Sequence, residues 1–227
     1  MSENKTGRYF KYAIGEIILV IIGILIALWI AEWNNERHER LDERVKLRQI
    51  EASLKSDLTI IENAIKTLDD GIAHVGLLDS LLKANVKPIN DSLNTLFGAV
   101  YGKRLIELNT ALYEDLKING FSLINDDAIR VQLINTFESQ YGRLEKIDAM
   151  EDNINTVIRP YYLENFNSIQ FWNYAQPNDL DKIWSDTYYH NVVNYRLITL
   201  QVNQFIRYPE TKAEVEQLLQ MISEYLK

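Results

Sequence analysis

The strongest constraint on this chain is an apolar run close to its N-terminus. Residues 17–31 include no charged and no polar side chain. Residues 12–16 extend the run to 20 residues, and a helix of that length spans about 30 Å, the thickness of the hydrocarbon layer of a bilayer. The run therefore predicts a transmembrane helix over residues 12–33.

A cleaved signal peptide is the competing interpretation, because it also joins a basic start to a short apolar core. The run ends in Ala-Leu-Trp-Ile-Ala over residues 27–31, with Glu32 and Trp33 following. Leu28 and Ile30, or Trp29 and Ala31, occupy the spacing at which a cleavage site needs two small residues. The bulky exit and the charged segment after it favour a retained anchor.

The orientation of the span follows from the two flanks rather than from basic residues alone, because Lys and Arg occur on both sides. Residues 1–11 are short and basic. Residues 32–227 carry 21 basic and 30 acidic residues, a net charge of −9, and long domains are translocated largely regardless of charge. We therefore expect residues 1–11 in the cytoplasm and residues 34–227 on the far side of the membrane.

Two features within the span suggest contacts in the membrane. Gly23, Ala27 and Ala31 repeat every four residues, and such a row of small residues lets two helices approach closely. Glu16 lies about one turn inside the span, where a carboxylate is costly. It is interpreted as a headgroup-level residue paired with Lys11 or lipid, as an interhelical hydrogen-bonding group, or as a proton-carrying carboxylate of an ion-driven machine.

The segment after the span has helical periodicity. Residues 34–70 contain no Pro and no Gly, and the charged residues up to 48 predict a solvated stalk helix. An apolar stripe with spacings of three and four then predicts a helix that packs in a bundle or a coiled coil. The stripe consists of Leu47, Ile50, Leu54, Leu58, Ile61, Ile65, Leu68 and Ile72.

Capping and breaking residues divide the remainder into further helices. We predict a second helix to about Asn85, one over 93–108 capped by Asp91 and Ser92, and a short one ending at Gly120. A long helix capped by Asn125 should end or kink at Pro160, and helices over 180–208 and 211–227 follow a less helical stretch at 167–180. No strand-like alternation is apparent. The fold class is therefore all-α: one N-terminal transmembrane helix, a long juxtamembrane stalk helix and an antiparallel bundle of five to seven helices.

The composition excludes several chemistries. The chain has no Cys and a formal charge of −8, which argues against disulfides, zinc fingers, thiol catalysis and nucleic-acid binding. No phosphate loop, serine elbow or zinc-protease motif occurs. Asp70–His74 and Asp186–His190 place Asp and His four residues apart, and we interpret both as local surface pairs. We therefore expect no enzyme activity, no cofactor and no metal.

Aromatic residues are concentrated late in the chain. Twelve of the 24 Phe, Trp and Tyr residues fall between Tyr161 and Tyr208. Core packing accounts for most of them. Phe171, Trp172 and Tyr174 lie in the least helical stretch and are the best candidates for contact with a partner, because aromatic residues are enriched at interfaces.

Two stretches resemble a large family of bacterial single-span proteins of unknown function. The first is residues 11–28, Lys-Tyr-Ala-Ile-Gly-Glu-Ile onward, with Trp-Asn-Asn-Glu at 33–36; the second is residues 110–120 with 124–130. The resemblance implies an inner-membrane anchor and a periplasmic domain, and it brings no known activity, substrate or catalytic residue. Trp29 replaces an expected polar Gln, so this exit from the bilayer is more apolar than is usual in the family.

The expected function is that of a membrane-anchored, non-enzymatic interaction or scaffold protein. The expected partners are membrane lipid and either a second copy of the chain or another membrane or periplasmic protein. Two alternatives remain: a subunit of an ion-coupled machine spanning the envelope that uses Glu16, and a periplasmic sensor or ligand-binding bundle.

Overall fold

The computed structural model describes residues 5–88, 92–102, 106–202 and 206–227, and their side chains from residue 14 onward except those of 119 and 148. The chain divides into two compact units at Leu47 and Arg48. Residues 48–227 are called the body below.

One helix, α1 (Lys5–Ala84), accounts for 80 residues. The prediction of a separate second helix that runs to about Asn85 is wrong, because α1 continues through Gly71 and Gly76 to Ala84. The predicted apolar stripe is confirmed in the body, where Ile50, Leu54, Ile61 and Leu68 are buried. Asp57, and not Leu58, is the fully buried residue between Leu54 and Ile61.

Shorter elements complete the body. They are α2 (Ser92–Val100), α3 (Ala111–Asn119), a 3-10 turn (Phe121–Leu123), α4 (Asp127–Ile134), a π-helical segment (Asn135–Tyr141), α5 (Gly142–Asn165), β1 (Phe166–Gln170), β2 (Tyr174–Pro177), α6 (Leu180–Ser185), α7 (Thr187–Val202) and α8 (Tyr208–Tyr225). Helices thus dominate the described residues, as the sequence predicts.

The prediction of an all-α fold is wrong between Phe166 and Pro177. There, β1 and β2 form an antiparallel pair with Phe166 opposite Pro177 and Gln170 opposite Tyr174. The reversal uses Trp172, which has a φ of 62°, in place of the Gly or Asn that turns with positive φ prefer. Because the usual turn residues are missing, the sequence pattern does not signal a hairpin. The prediction that 167–180 is the least helical stretch is confirmed.

Several helix boundaries also differ from prediction. Helix α2 ends at Val100 and not at Leu108, since Gly102 adopts a φ of 130° that a helix cannot contain. Asp91 lies outside the described residues. The cap of α4 is Asp126 and not Asn125, because the Asp126 carboxylate accepts the Ile129 N–H at 2.9 Å.

Proline and Asp186 act differently from expectation in the last third of the chain. Helix α5 continues through Pro160 to Asn165. The predicted 180–208 helix is divided into α6 and α7 at Asp186. Helix α8 has Pro209 in its first turn. An N–H at this position has no acceptor within the helix, so the missing N–H of proline costs no helical hydrogen bond.

Aromatic packing fills the centre of the body. The rings of Tyr162 and Phe166 stack with centroids 4.4 Å apart, and the Phe97 and Phe166 rings meet edge to face at 5.4 Å. The Tyr162 hydroxyl donates to the Phe97 carbonyl at 2.7 Å and lies 3.0 Å from the Tyr189 hydroxyl. The late aromatic residues are therefore mainly core residues, and they join α2, α5, β1 and α7.

Candidate functional site

The apolar N-terminal part of α1 exposes its side chains. Between Ile14 and Ile30 each large apolar side chain is 44–70% exposed. The helix is long and apolar enough to cross a membrane, a property shared by membrane anchors and signal sequences. A continuous apolar surface of this size is unusual on a soluble protein.

The predicted membrane-contact residues lie on this exposed surface. Glu16, Gly23, Ala27 and Ala31 are all exposed, and a Cβ added at Gly23 would meet nothing within 4 Å. The side chain of Lys11, one expected partner of Glu16, lies outside the described residues. No packing within the described chain therefore explains the small-residue row.

The three predicted partner-contact residues lie around the tip of the hairpin but differ in exposure. Phe171 is 63% exposed, and its ring meets that of Tyr101 edge to face at 5.0 Å. Trp172 is half-buried and its backbone N–H donates to the Tyr101 carbonyl at 3.1 Å. The half-buried Tyr174 accepts a hydrogen bond from Asn94 at 3.1 Å. Phe171 is thus the accessible member of the three.

Three glycines lie where the hairpin packs most closely against the rest of the body. A Cβ at Gly98 would lie 2.1 Å from the Tyr174 backbone nitrogen, and one at Gly102 would lie 2.8 Å from Cδ1 of Trp172. A Cβ at Gly71 would lie 2.5 Å from Cζ3 of Trp172. The hairpin therefore packs against α1, α2 and the turn after α2 at distances that only glycine permits.

A buried ionic cluster lies beside Trp172. Arg196 is fully buried, and its Nη1 donates to Glu151 at 2.5 Å while its Nη2 donates to the Gly102 carbonyl at 3.1 Å. Asn155 bonds both the N–H and the carbonyl of Gly102 at 3.2 Å. The guanidinium lies 5.2 Å from the centre of the Trp172 ring, within range of a cation–π interaction. The cluster thus joins α5, α7, the turn at Gly102 and the hairpin.

A second buried group, Asp57, lies on α1. Its carboxylate accepts the Tyr141 hydroxyl and the Asn109 N–H, each at 2.9 Å. Burial raises the pKa of Asp57, although both hydrogen bonds act in the opposite direction. Burial and the adjacent carboxylate raise the pKa of Tyr141 far above its ordinary range. The raised pKa keeps the Tyr141 hydroxyl protonated, so it donates to the Asp57 carboxylate.

A cleft of about 240 Å³ opens beside Tyr141. The apolar part of its wall consists of Ile106, Leu108 and Leu144. Glu107 and Glu145 also line the cleft. The volume is smaller than that of most ligand pockets. Asp57 is not among the residues that line the cleft, although its hydrogen-bond partner Tyr141 is.

The second stretch of the family resemblance has clear structural roles. The Tyr113 ring stacks on Phe137 with centroids 4.6 Å apart, and its hydroxyl donates to Glu138 at 3.1 Å. Lys117 donates to the same carboxylate at 2.8 Å, which lowers the pKa of Glu138. Gly120 ends α3 with a φ of 134°. The contacts of Tyr113 and Lys117 thus join α3 to the π-helical segment.

The predicted local pairing of the Asp186 and His190 side chains is wrong, because each of them bonds to a different group. The Asp186 carboxylate accepts the Tyr161 hydroxyl at 2.6 Å, and the His190 ring nitrogen Nε2 lies 3.0 Å from the Trp184 carbonyl. Across the described ranges, no three His, Asp or Glu side chains converge as a metal site would require.

Sequence reasoning missed Asp57, Glu151 and Arg196. Asp57 occupies a position of the apolar stripe, three residues after Leu54 and four before Ile61. Arg196 likewise lies among the buried positions of α7. A charged residue within a buried helical face was the available signal, but it does not identify the partner that neutralises the charge.

Comparison with known proteins identifies the family. No curated protein and no solved structure gives a significant match to the chain. Residues 16–169 match a family described as a family of unknown function, DUF6090. This range starts in the apolar part of α1, includes Asp57 with its partners Tyr141 and Asn109, includes Glu151 but not its partner Arg196, and ends in β1. Because it covers more than half of the sequence, the chain belongs to the family of unknown function DUF6090.

Proposed function

We propose that this chain is a membrane-anchored, non-enzymatic interaction protein. Residues 12–33 hold it in the inner membrane of a bacterium, residues 1–11 remain in the cytoplasm, and residues 34–227 act in the periplasm. Its partners are lipid and either a second copy or another membrane or periplasmic protein. The chain binds no nucleic acid.

The observation that carries this proposal is the unburied apolar surface between Ile14 and Ile30. In a soluble state, this surface would be in water at a cost of about 25 cal/mol for each Å². A bilayer removes that cost without requiring any other part of the chain. The bulky residues at the end of the run favour an anchor over a cleaved signal.

A non-enzymatic role is supported by the state of the charged groups in the body. Arg196 and Glu151 bond to each other, and Asp57 bonds to Tyr141 and Asn109. These contacts connect separate elements. Buried charges with such partners are typical of structural clusters as well as active sites, and the absence of a catalytic motif from the sequence favours the structural role.

The membrane proposal can be tested by labelling, because the chain has no Cys. Ser2→Cys and Ser56→Cys each introduce one thiol, on opposite sides of the proposed span. In cells with a permeabilised outer membrane, an impermeant maleimide should label Ser56→Cys, and should label Ser2→Cys only after lysis.

The reverse labelling pattern would contradict the proposed orientation. Recovery of a shortened, soluble chain that begins beyond Ala31 would contradict the anchor itself. With a tag at each end of the chain, one gel distinguishes these outcomes. A chain of reversed orientation keeps both tags, whereas a shortened chain loses the N-terminal tag.

Glu16 supports a second candidate, a subunit of an ion-coupled machine. Its exposed carboxylate lies within the apolar surface of α1, where a charge is costly unless it has a function or a partner. Glu16→Gln should then change the set of proteins isolated with the chain from membranes, whereas Glu32→Gln, at the exit of the span, should not. An unchanged set in Glu16→Gln would exclude this candidate.

A further inference from the structure

Two large apolar side chains are exposed on the charged part of α1. Between residues 34 and 76, all of which the structure describes, Leu41 and Val45 are the large apolar side chains that remain exposed, at 52% and 54%. The other exposed residues from 34 to 49 are polar or charged. Glu43 and Leu47, which lie on the opposite face of the helix, are buried. Leu41 and Val45 therefore point away from the packed face of α1.

The two side chains belong to a heptad repeat that continues the apolar run into the charged segment. From Ile24 to Val45, spacings of three and four residues alternate, which is the repeat of a coiled coil. The repeat extends over about 32 Å of helix, and every position in it is exposed. Its members, called the α1 seam below, are Ile24, Ala27, Ala31, Asn34, His38, Leu41 and Val45.

The positions that flank the α1 seam carry complementary charges. In a parallel coiled coil, the residue before one seam position faces the residue after the next seam position of the neighbouring helix. Arg37, before His38, and Asp42, after Leu41, occupy two such positions. Neither the Arg37 nor the Asp42 side chain has a bonding partner among the described residues. Two identical helices in register would therefore form the Arg37–Asp42 ion pair twice.

We infer that α1 forms a parallel, two-stranded coiled coil with α1 of a second copy of this chain, joined along the α1 seam. A second copy has the complementary charges by symmetry, whereas any other partner would have to reproduce their spacing. Residues 32–48 carry five basic and five acidic residues, so these segments meet without the repulsion expected of whole chains of charge −8. Val45 and Leu41 occupy alternate seam positions, a combination that favours two strands.

The inference rests on the proposed membrane anchor and names the second copy as the partner. Two anchored chains hold their spans at the same depth, so their α1 helices run parallel with equivalent residues side by side. The Arg37–Asp42 pair requires this register. Ile24, Ala27 and Ala31 extend the contact into the bilayer, where small residues let helices approach closely. Confinement to one membrane also raises the effective concentration of the two chains.

Cross-linking of single-cysteine variants of the full-length chain in isolated membranes tests the inference, because the natural chain has no Cys. Leu41→Cys and Val45→Cys place thiols on the α1 seam, where the equivalent residues of two copies lie within disulfide range. Glu36→Cys and Glu39→Cys are the matched controls, because both residues are exposed on other faces of the same segment. Under mild oxidation, each seam variant should form a disulfide-linked dimer several-fold more than either control.

Charge reversal beside the seam supplies the second measurement. In the Leu41→Cys chain, Arg37→Glu or Asp42→Arg places like charges opposite each other and should reduce dimer formation several-fold. The two substitutions together exchange the charges and should restore dimer formation. Arg40→Glu makes the same change of charge away from the seam and should leave dimer formation unchanged. Circular dichroism of the purified variants identifies which of the two single reversals is folded and suitable for the comparison.

Equal linking of the seam and control variants would overturn the inference, because it would indicate random collision within the membrane. Linking that charge reversal leaves intact, or that the exchanged pair does not restore, would also overturn it. A dimer held by the span alone would give the first of these two results. Failure of the anchor is a separate outcome, because it is read from the membrane and soluble fractions before oxidation.

Discussion

Among the glycines that the structure describes from Gly15 onward, Gly98 has the least room for a side chain. A Cβ there would overlap the backbone of Tyr174 and Asn173, at 2.1 and 2.5 Å. Backbone atoms cannot move aside as the end of a flexible side chain can. We expect Gly98→Ala to lower the free energy of unfolding by about 3 kcal/mol, the upper part of the range for overpacking, in urea denaturation followed by circular dichroism.

Gly76→Ala is the matched control, because a Cβ at Gly76 would lie 3.7 Å from Leu197 in ordinary contact. In the interior of α1, this change should stabilise the chain by about 0.5–1 kcal/mol through helix propensity. Similar effects of the two substitutions would contradict the close approach of the hairpin to α2.

The stability of the protein should depend on pH through Asp57. Burial raises its pKa above the ordinary value of 3.8, so the folded state holds this proton more tightly than the unfolded state. This contribution is fully present below pH 3.8 and is lost as the pH rises through the raised pKa. Asp57→Asn removes the titration, and its stability relative to the natural chain should increase across that window.

Denaturation at several pH values between 4 and 7 measures this difference. Asp70→Asn changes an exposed carboxylate on the same helix, and its stability curve should run parallel to that of the natural chain. A relative stability of Asp57→Asn that falls with increasing pH would contradict the role of burial at Asp57.

The Arg196–Glu151 pair should show strong coupling. Glu151→Gln leaves a fully buried guanidinium without its counter-charge, and such a loss costs about 3–5 kcal/mol. Adding Arg196→Met removes the unpaired charge, so the double variant should be more stable than Glu151→Gln alone. A double-mutant cycle in urea measures this coupling, and additive losses would contradict it.

At the scale of elements, periodicity predicted helices better than their ends. The apolar stripe of α1 was visible because it repeats every three or four residues. The passage of α1 through Gly71 was not, since a glycine usually weakens a helix. Gly71 is needed there because Trp172, 101 residues later, lies against it. A contact between such distant residues leaves no trace in the local pattern.

The hairpin was missed for the same physical reason. Its turn has positive φ at Trp172, a conformation that is costly for a bulky residue. The hydrogen bond to Tyr101 and the packing on Gly71, Gly98 and Gly102 hold this turn in place. Tertiary contacts, and not the preference of the turn residues, therefore stabilise this element.

At the scale of the whole molecule, the division into two units predicts that the body folds without the apolar segment. Residues 48–227 form their own compact unit, while the exposed apolar surface lies before residue 34. A chain that lacks residues 1–33 should therefore be recovered in the soluble fraction with a cooperative helical unfolding transition. Fractionation and thermal circular dichroism check both properties, and recovery in the membrane fraction would point to a second membrane-binding surface in the body.

The sequence by itself determined the apolar segment, the dominance of helices and the inner stripe of α1, because these depend on local composition and on a repeat of 3.6 residues. It also led to a family of unknown function. The tertiary structure alone decided the hairpin, the partners of Asp57 and Arg196, and the exposure of Leu41 and Val45 on α1. Each of these depends on which distant residues meet, and an apolar helical face looks the same in a sequence whether it is buried or left open.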